Sequence, residues 1–367
     1  MYNLRVMTAK VALVHDWLNG MRGGEKVLEG MLDIFPSADI FTLFYTPDKV
    51  SEKIRSRNVT ASYLNRFLPA RRWYRQCLPL LPRAVESFDL SAYDLVVSTS
   101  HCVAKGAIPP PQAPHVSYVF TPMRYIWDQY PHYFGCSRGV KKWLIRRAAT
   151  RLRTWDAASA ARVDHFVADS EFVAQRIRKY YRRNATVIHP PVDTDFFSPG
   201  SGEKGGYFLA VTALVPYKRV DLLVDVFNRT GDSLVIVGGG PEKRALQGRA
   251  RKNIRFEQSL SPQALRERYR RARAFVHAGL EDFGIAFVES LACGTPVLAS
   301  SRGGVADIVT HGRTGLLVAD PDADAFTAGV EEMRTRTFDP DALRQDSLRF
   351  SPQHFREKFS SLVASLP

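Results

Sequence analysis

Short apolar runs alternate with helical patterns along the whole chain. In the first half the runs are Lys10–His15, Asp39–Phe44, Leu95–Ser98, His115–Phe120, Phe166–Asp169 and Thr186–His189. In the second half they are Tyr207–Thr212, Ser233–Val237, Ile254–Glu257, Ala274–His277, Pro296–Ala299 and Gly315–Val318. Runs this short, bounded by Gly, Pro, Ser or Asp with helices between, predict buried parallel strands in βα units. Val27, Leu28, Met31, Leu32 and Phe35 share one helical face, and Val220, Leu223, Val224 and Phe227 share another. The pattern is that of an α/β protein with two doubly wound, Rossmann-like sheets. Residues 190–206, rich in Pro, Gly, Ser and Asp, break both periodicities and put the seam at about 195–205. This gives an N-terminal domain over 1–198 and a C-terminal domain over 199–350. Two such domains facing a cleft are expected to hold ligands at the carboxyl ends of their strands.

Composition changes this picture in one respect. The 367 residues are 45% hydrophobic and 24% charged, which excludes disorder and fibrous repeats. The net charge, however, is +14, and it is lopsided: residues 1–190 carry 28 basic and 15 acidic side chains, residues 191–367 carry 23 and 22. A polyanionic partner is therefore expected on the first half. Cys77, Cys102, Cys136 and Cys293 are too few and scattered for a disulfide framework, which points to a reducing cytoplasm. No apolar h-region opens the chain and no run reaches 18 uncharged apolar residues, so neither secretion nor a membrane span is expected.

Candidate chemistry clusters after the expected strand Ala274–His277. Glu281 lies on the following loop, and Glu289 lies inside a helix that starts near Gly284. The N–H groups of Phe283, Gly284 and Ile285 would then form a cradle for phosphate at the positive end of a helix dipole. Two surface glutamates flanking a helix cap are the plain alternative, since this spacing arises often by chance. Lys218 and Arg219 sit between another strand and its helix and can reach the same region. In the first half, His15 and Trp17 close the first strand, Gly23 and Gly24 open the first helix, and His101 follows the strand Leu95–Ser98. Glycines there allow close backbone approach to a ligand, although Gly-Gly alone is more often a turn. Arg124 and Asp128, in Phe120–Asp128, either shape a pocket or form an internal salt bridge. Asp193-Thr194-Asp195 is formally D-x-D and lies in the linker stretch; Gly238-Gly239-Gly240 is no dinucleotide fingerprint. No Walker loop, H-E-x-x-H or nucleophile elbow occurs.

The stretch from Glu281 through Gly284 to Glu289, followed by Ala292-Cys293-Gly294-Thr295-Pro296-Val297, Gly303-Gly304 and Gly312-Arg313-Thr314-Gly315-Leu316-Leu317-Val318, closely resembles the retaining GT-B glycosyltransferases of family four. The resemblance implies the GT-B fold and a sugar transferred from a nucleotide donor without a metal or other cofactor. It places Glu289 on the ribose, Glu281 at the donor sugar, the Phe283–Ile285 backbone on the diphosphate, and His101 beside the reacting sugar. Gly23 and Gly24 match the family's glycine-rich loop. The family's G-R-L-x-P-x-K element here reads Thr212-Ala213-Leu214-Val215-Pro216-Tyr217-Lys218, so the diphosphate arginine is absent at Ala213 and Arg219 is the candidate replacement. The variant Ala213–Asp221 and the Thr121–Asp128 stretch resemble a subgroup of bacterial polysaccharide mannosyltransferases, which implies GDP-mannose, with UDP- or dTDP-sugar transfer or sugar-nucleotide epimerisation as alternatives. His15, Trp17, Arg124 and Asp128 fall on the acceptor side. Residues 351–367 are expected to form a helix returning to the N-terminal domain.

The charge asymmetry then has a partner. Residues 138–153 form a basic amphipathic helix, and residues 63–83 mix five arginines with Tyr63, Phe67, Trp73 and Tyr74. Arginine among aromatics suits a bilayer interface, and each basic residue near anionic lipid contributes about 1 kcal/mol. No nucleic-acid-binding module accompanies them. The expectation is a cytoplasmic enzyme held on the inner face of the cytoplasmic membrane, acting on a lipid-linked oligosaccharide. The rival is a non-enzymatic basic protein, and an ordinary solvated face remains the plain reading of both segments.

Overall fold

The computed structural model describes residues 9–67, 77–202 and 204–366. The chain divides into two compact units, one running to Pro191 and resuming at Phe355, the other spanning Val192–His354. The division falls near the start of the Pro/Gly-rich stretch 190–206, where the Val192 N–H donates to the Phe350 carbonyl of the second unit, at 2.9 Å.

In the first unit, β1 (Val11–His15), β2 (Asp39–Thr42), β3 (Val59–Ala61), β4 (Leu95–Ser100), β5 (His115–Val119), β6 (His165–Ala168) and β7 (Ala185–Val187) form a parallel sheet ordered β3-β2-β1-β4-β5-β6-β7. The second unit holds β8 (Tyr207–Val211), β9 (Ser233–Val237), β10 (Ile254–Glu257), β11 (Ala274–His277), β12 (Val297–Ser300) and β13 (Gly315–Val318), ordered β10-β9-β8-β11-β12-β13. Alternation along the strands splits each core in two. Val11 and Leu13 pack under one face of the first sheet, Ala12 and Val14 under the other. Leu209 and its neighbours Phe208 and Ala210 divide the second sheet in the same way. The strand order reverses between β1 and β4, and again between β8 and β11. Ligands in open α/β sheets bind outside the carboxyl ends of the strands at such switch points.

The helix Pro352–Ala364 belongs to the first unit from Phe355 onward. Phe355, Phe359 and Val363 recur at helical spacing and join Phe35, Leu13 and Tyr118 in one core. Phe359 meets Phe35 edge-on, with ring centroids 6.4 Å apart.

The basic helix continues to Ser159, spanning Gly139–Ser159, and only its second half is packed: the buried residues are Ala149, Leu152, Asp156 and Ser159. The buried Lys105 ammonium holds that end, 3.0 Å from Asp156 Oδ1 and donating to Ser159 Oγ at 2.6 Å. Trp127 Nε1 and Tyr181 OH donate to the same carboxylate, so a charge with no exposure has its hydrogen bonds met. The first half leaves Val140, Trp143 and Leu144 exposed at 74%, 60% and 54%. Among the described residues, no helix is long and apolar enough to cross a membrane. Of residues 63–83, positions 68–76, with Trp73 and Tyr74, lie outside the described residues.

Phe359→Ala should remove a fully buried ring and cost about 3–5 kcal/mol. Hydrogen exchange should show the lost protection in β1 and β4, with β8 and β11 unchanged, although residue 359 follows the second unit in sequence.

Candidate functional site

In the second unit three turns converge at the β8/β11 switch point. The first follows β8 and carries Lys218 in the 3-10 turn Pro216–Lys218. The second follows β11 and carries Glu281. The third, Gly303-Gly304, bridges Glu281 through a backbone pair, and the Gly304 N–H donates to the Glu281 carbonyl at 3.0 Å. The backbones touch. A Cβ on Gly279 would lie 2.5 Å from Lys218 Cα, and one on Gly304 would lie 2.1 Å from the Asp282 carbonyl oxygen. With the turns fixed, the buried Lys218 ammonium pairs with Glu281 Oε2. The other oxygen, Oε1, stands 3.5 Å from His277 Nε2 at the end of β11.

The helix after this loop spans Ile285–Ala292, and its N-cap is Gly284, at φ +98° with no side-chain cap. The backbone around Ile285 is therefore at the positive end of the helix, and its cap residue, a glycine, brings no side chain of its own. Phe283 is buried in the core behind it. One turn further in, Glu289 accepts a 2.8 Å hydrogen bond from Tyr269 OH, and burial pushes its carboxyl pKa up to about 7. Arg219 is half-exposed and stands 3.4 Å from Asp221, in a left-handed conformation at φ +49° that side chains rarely adopt. The structure thus brings Lys218 and Glu281 together and pairs Arg219 with Asp221, where it also serves as the N-cap of the helix Val220–Thr230.

The first unit has its own constellation at the β1/β4 switch point. Asp16 is fully buried, and its carboxylate accepts four backbone N–H groups, from His101, Cys102, Val103 and Ala104, at 2.7–2.8 Å. Four N–H groups neutralise a buried carboxylate where no cation is needed. Asp16 Oδ2 also lies 3.1 Å from His101 Nδ1, and Trp17 meets the His101 ring edge-on at 4.4 Å. His101 and Trp17 are thus brought together. His15 is different: it is buried, bonded through Nδ1 to Thr99 Oγ1 at 2.7 Å, with its pKa lowered to about 4 by burial. Gly23 begins the helix Gly23–Ile34, and a Cβ on Gly24 would touch the Phe120 ring at 3.3 Å, so the turn closes against the end of β5. Asp128 pairs with the buried Arg176 at 2.6 Å, which is the internal salt bridge, though with a partner other than Arg124. Arg124 lies in the turn before it, its carbonyl accepting from Gln129 N–H.

Sequence reasoning passed over Asp16, Tyr269 and His277. The first had a readable signal, an acidic residue directly after an apolar central strand where burial demands many donors. The others face their partners only through the fold.

Residues 23–196 match the family model described as Glycosyltransferase Family 4, and residues 191–345 match that described as Glycosyl transferases group 1. The chain belongs to the family-four glycosyltransferases of GT-B fold. It is similar, at 31% identity over 45% of its length, to a GDP-mannose-dependent alpha-(1-6)-phosphatidylinositol monomannoside mannosyltransferase of Mycolicibacterium smegmatis. It is also similar, at 34% over 41% of its length, to a D-inositol 3-phosphate glycosyltransferase of Mycobacteroides abscessus. The chain spans 51% and 39% of these two relatives, about half their length or less. Its fold is shared with Anabaena HepE, solved in complex with UDP and glucose, at TM-score 0.70 and 15% identity, covering 98% of this chain and 100% of that one.

A carboxyl raised to about 7 binds its proton more tightly folded than unfolded. Its stabilising contribution is present below the ordinary glutamate range and is lost as pH rises toward 7. Glu289→Gln should therefore be more stable than the parent at pH 8, by up to about 3 kcal/mol, with the gap closing by pH 5. Melting curves at both pH values check this; a gap independent of pH would assign the effect to packing.

Proposed function

We propose that this chain is a retaining glycosyltransferase that moves a hexose from a nucleotide-sugar donor, with GDP-mannose favoured, to a lipid-linked saccharide in cell-surface polysaccharide synthesis. The observation carrying the reading is the second unit's switch point, where Lys218, Glu281 and the uncapped start of the helix Ile285–Ala292 meet, with Glu289 a turn beyond. A cation and a helix N-terminus side by side suit a diphosphate. Glu281 then receives hydroxyls of the donor sugar and Glu289 those of the ribose. The bond between the anomeric carbon and the diphosphate oxygen breaks as the acceptor oxygen bonds on the same face of the sugar. The acceptor proton passes to the departing phosphate oxygen. Charge gathering on the diphosphate is met by Lys218, Arg219 and the helix N–H groups, the largest electrostatic task, in a reading that needs no metal. His101, oriented by Asp16, acts on the reacting sugar, and Trp17 and Arg124 serve the acceptor.

The acceptor's lipid and the +13 excess of residues 1–190 favour one location, the inner face of the cytoplasmic membrane. Val140, Trp143 and Leu144 are exposed beside Lys141, Lys142, Arg146, Arg147 and Arg151, on a helix whose second half alone is packed on the core. Apolar side chains of this kind enter the headgroup region while the cations meet lipid phosphates. Nucleic acid is the weaker match, because no recognised binding module accompanies this helix.

The mannosyltransferase relative favours a GDP-sugar, and the likeness to HepE keeps a UDP-sugar as the second reading. Thermal unfolding with GDP-mannose, UDP-glucose and dTDP-glucose decides between them, since a ligand at 100 times its Kd stabilises by about 2.7 kcal/mol. GDP-mannose alone should raise the melting point. A rise with UDP-glucose alone would overturn the choice of base, and a donor consumed without acceptor would favour the epimerase. Lys218→Ala should lower kcat/KM for the donor by about 10²–10³. Binding to anionic vesicles should fall with salt and be lost in the triple variant Lys142→Glu, Arg146→Glu, Arg147→Glu. Equal binding to neutral vesicles at every salt concentration would overturn the membrane reading.

A further inference from the structure

His277 ends β11 with its side chain 3% exposed, and its Nε2 has no hydrogen-bond partner. A buried polar nitrogen left without a partner is rare, because its desolvation is not repaid. Phe287 packs against the His277 ring edge-on, at 5.4 Å and 84°. Burial lowers its pKa to about 4, so near neutral pH the ring is uncharged and can carry one N–H. The nearest candidate is Glu281 Oε1 at 3.5 Å, on a carboxylate whose other oxygen is paired with Lys218. Gly279 and the Lys218 backbone, in contact, fix the loop that separates His277 from Glu281. With the backbone fixed there, the gap left to close lies between the two side chains.

We propose that His277 is a positioning residue for Glu281: when a nucleoside diphosphate draws Lys218 away, Glu281 changes partner and accepts a hydrogen bond from His277 Nε2–H. The inference rests on the reading of Lys218 as the diphosphate ligand. Paired with each other, Lys218 and Glu281 balance their charges. A diphosphate competes for the cation with more charge than one carboxylate, and its arrival would take the Lys218 cation from Glu281 and set another anion beside it. Neutral His277 is a suitable second partner, because it offers a proton to the carboxylate without adding a cation that would compete with Lys218 for the ligand. No bond is made or broken beyond the hydrogen bonds exchanged.

The test is a double-mutant cycle read by calorimetric titration with GDP and, separately, UDP. His277→Phe keeps the ring packing on Phe287 and removes the donor; His277→Gln keeps an N–H at a similar distance. His277→Phe should weaken binding of the preferred nucleotide by about tenfold, with His277→Gln within about threefold of the parent, as expected for one hydrogen bond to a charged group. In a Glu281→Gln background His277→Phe should change affinity less than about twofold, because no carboxylate then loses its cation. Equal weakening in both backgrounds would overturn the proposal in favour of a packing role, as would no weakening in either. Should His277→Phe fail to fold, His277→Met takes its place in the same cycle. Unchanged nucleotide binding by Lys218→Ala would overturn the donor reading itself, and this inference with it.

Discussion

Three turns in the second unit cross so closely that their crossing points admit no side chain. Gly279 lies against the backbone of Lys218, and Gly303 and Gly304 lie against the carbonyls of Glu281 and Asp282. The contact fixes where two long, flexible side chains start. Lys and Glu each lose substantial rotamer freedom when held in one geometry, and a rigid base lowers the number of alternatives they must give up. The helix Ile285–Ala292 inherits its starting point from the same contact, through Gly284 at φ +98°. Cation, carboxylate and helix end are therefore set relative to one another by main-chain geometry, which substitutions of surrounding side chains disturb little.

The first unit reaches a comparable result by a different route. There a single buried carboxylate organises the turn after β4. Asp16 draws the N–H groups of residues 101–104 around itself, so a loop becomes rigid through hydrogen bonds to a charge where the other unit uses contact between backbones. The two devices suit their residues. Lys218 and Glu281 neutralise each other, whereas His101 keeps a fixed ring plane through Asp16 and the edge of Trp17.

Much of this architecture was legible in the chain. Twelve apolar runs mark twelve of the thirteen described strands, because parallel strands covered on both faces need unbroken apolar sequence. The exception is β3, Val59–Ala61, a three-residue edge strand flanked by Asn58 and Ser62, with no apolar neighbour to extend it into a readable run. The loop position of Glu281 and the helical position of Glu289 were also legible, since Gly284 marks the helix start. What could not be read were pairings formed across long separations. Asp128 meets Arg176 from a helix 48 residues on, and Tyr269 reaches Glu289 across 20. Periodicity carries information about burial, and it carries none about which buried polar groups share a bond. The basic helix shows the same limit: its cations were plain, but only the packing reveals that the core claims just the half beyond Arg147.

The return of the last helix has a consequence for the order in which the molecule comes into being. Phe355, Phe359 and Val363 complete the core around Phe35 and Tyr118, yet the ribosome makes them after every residue of the second unit. During synthesis the second unit can close while the first, begun earlier, still shows an open apolar trough. A nascent chain that has emerged only as far as residue 354 would thus carry one complete body and one still lacking its last helix, with apolar surface open to a chaperone.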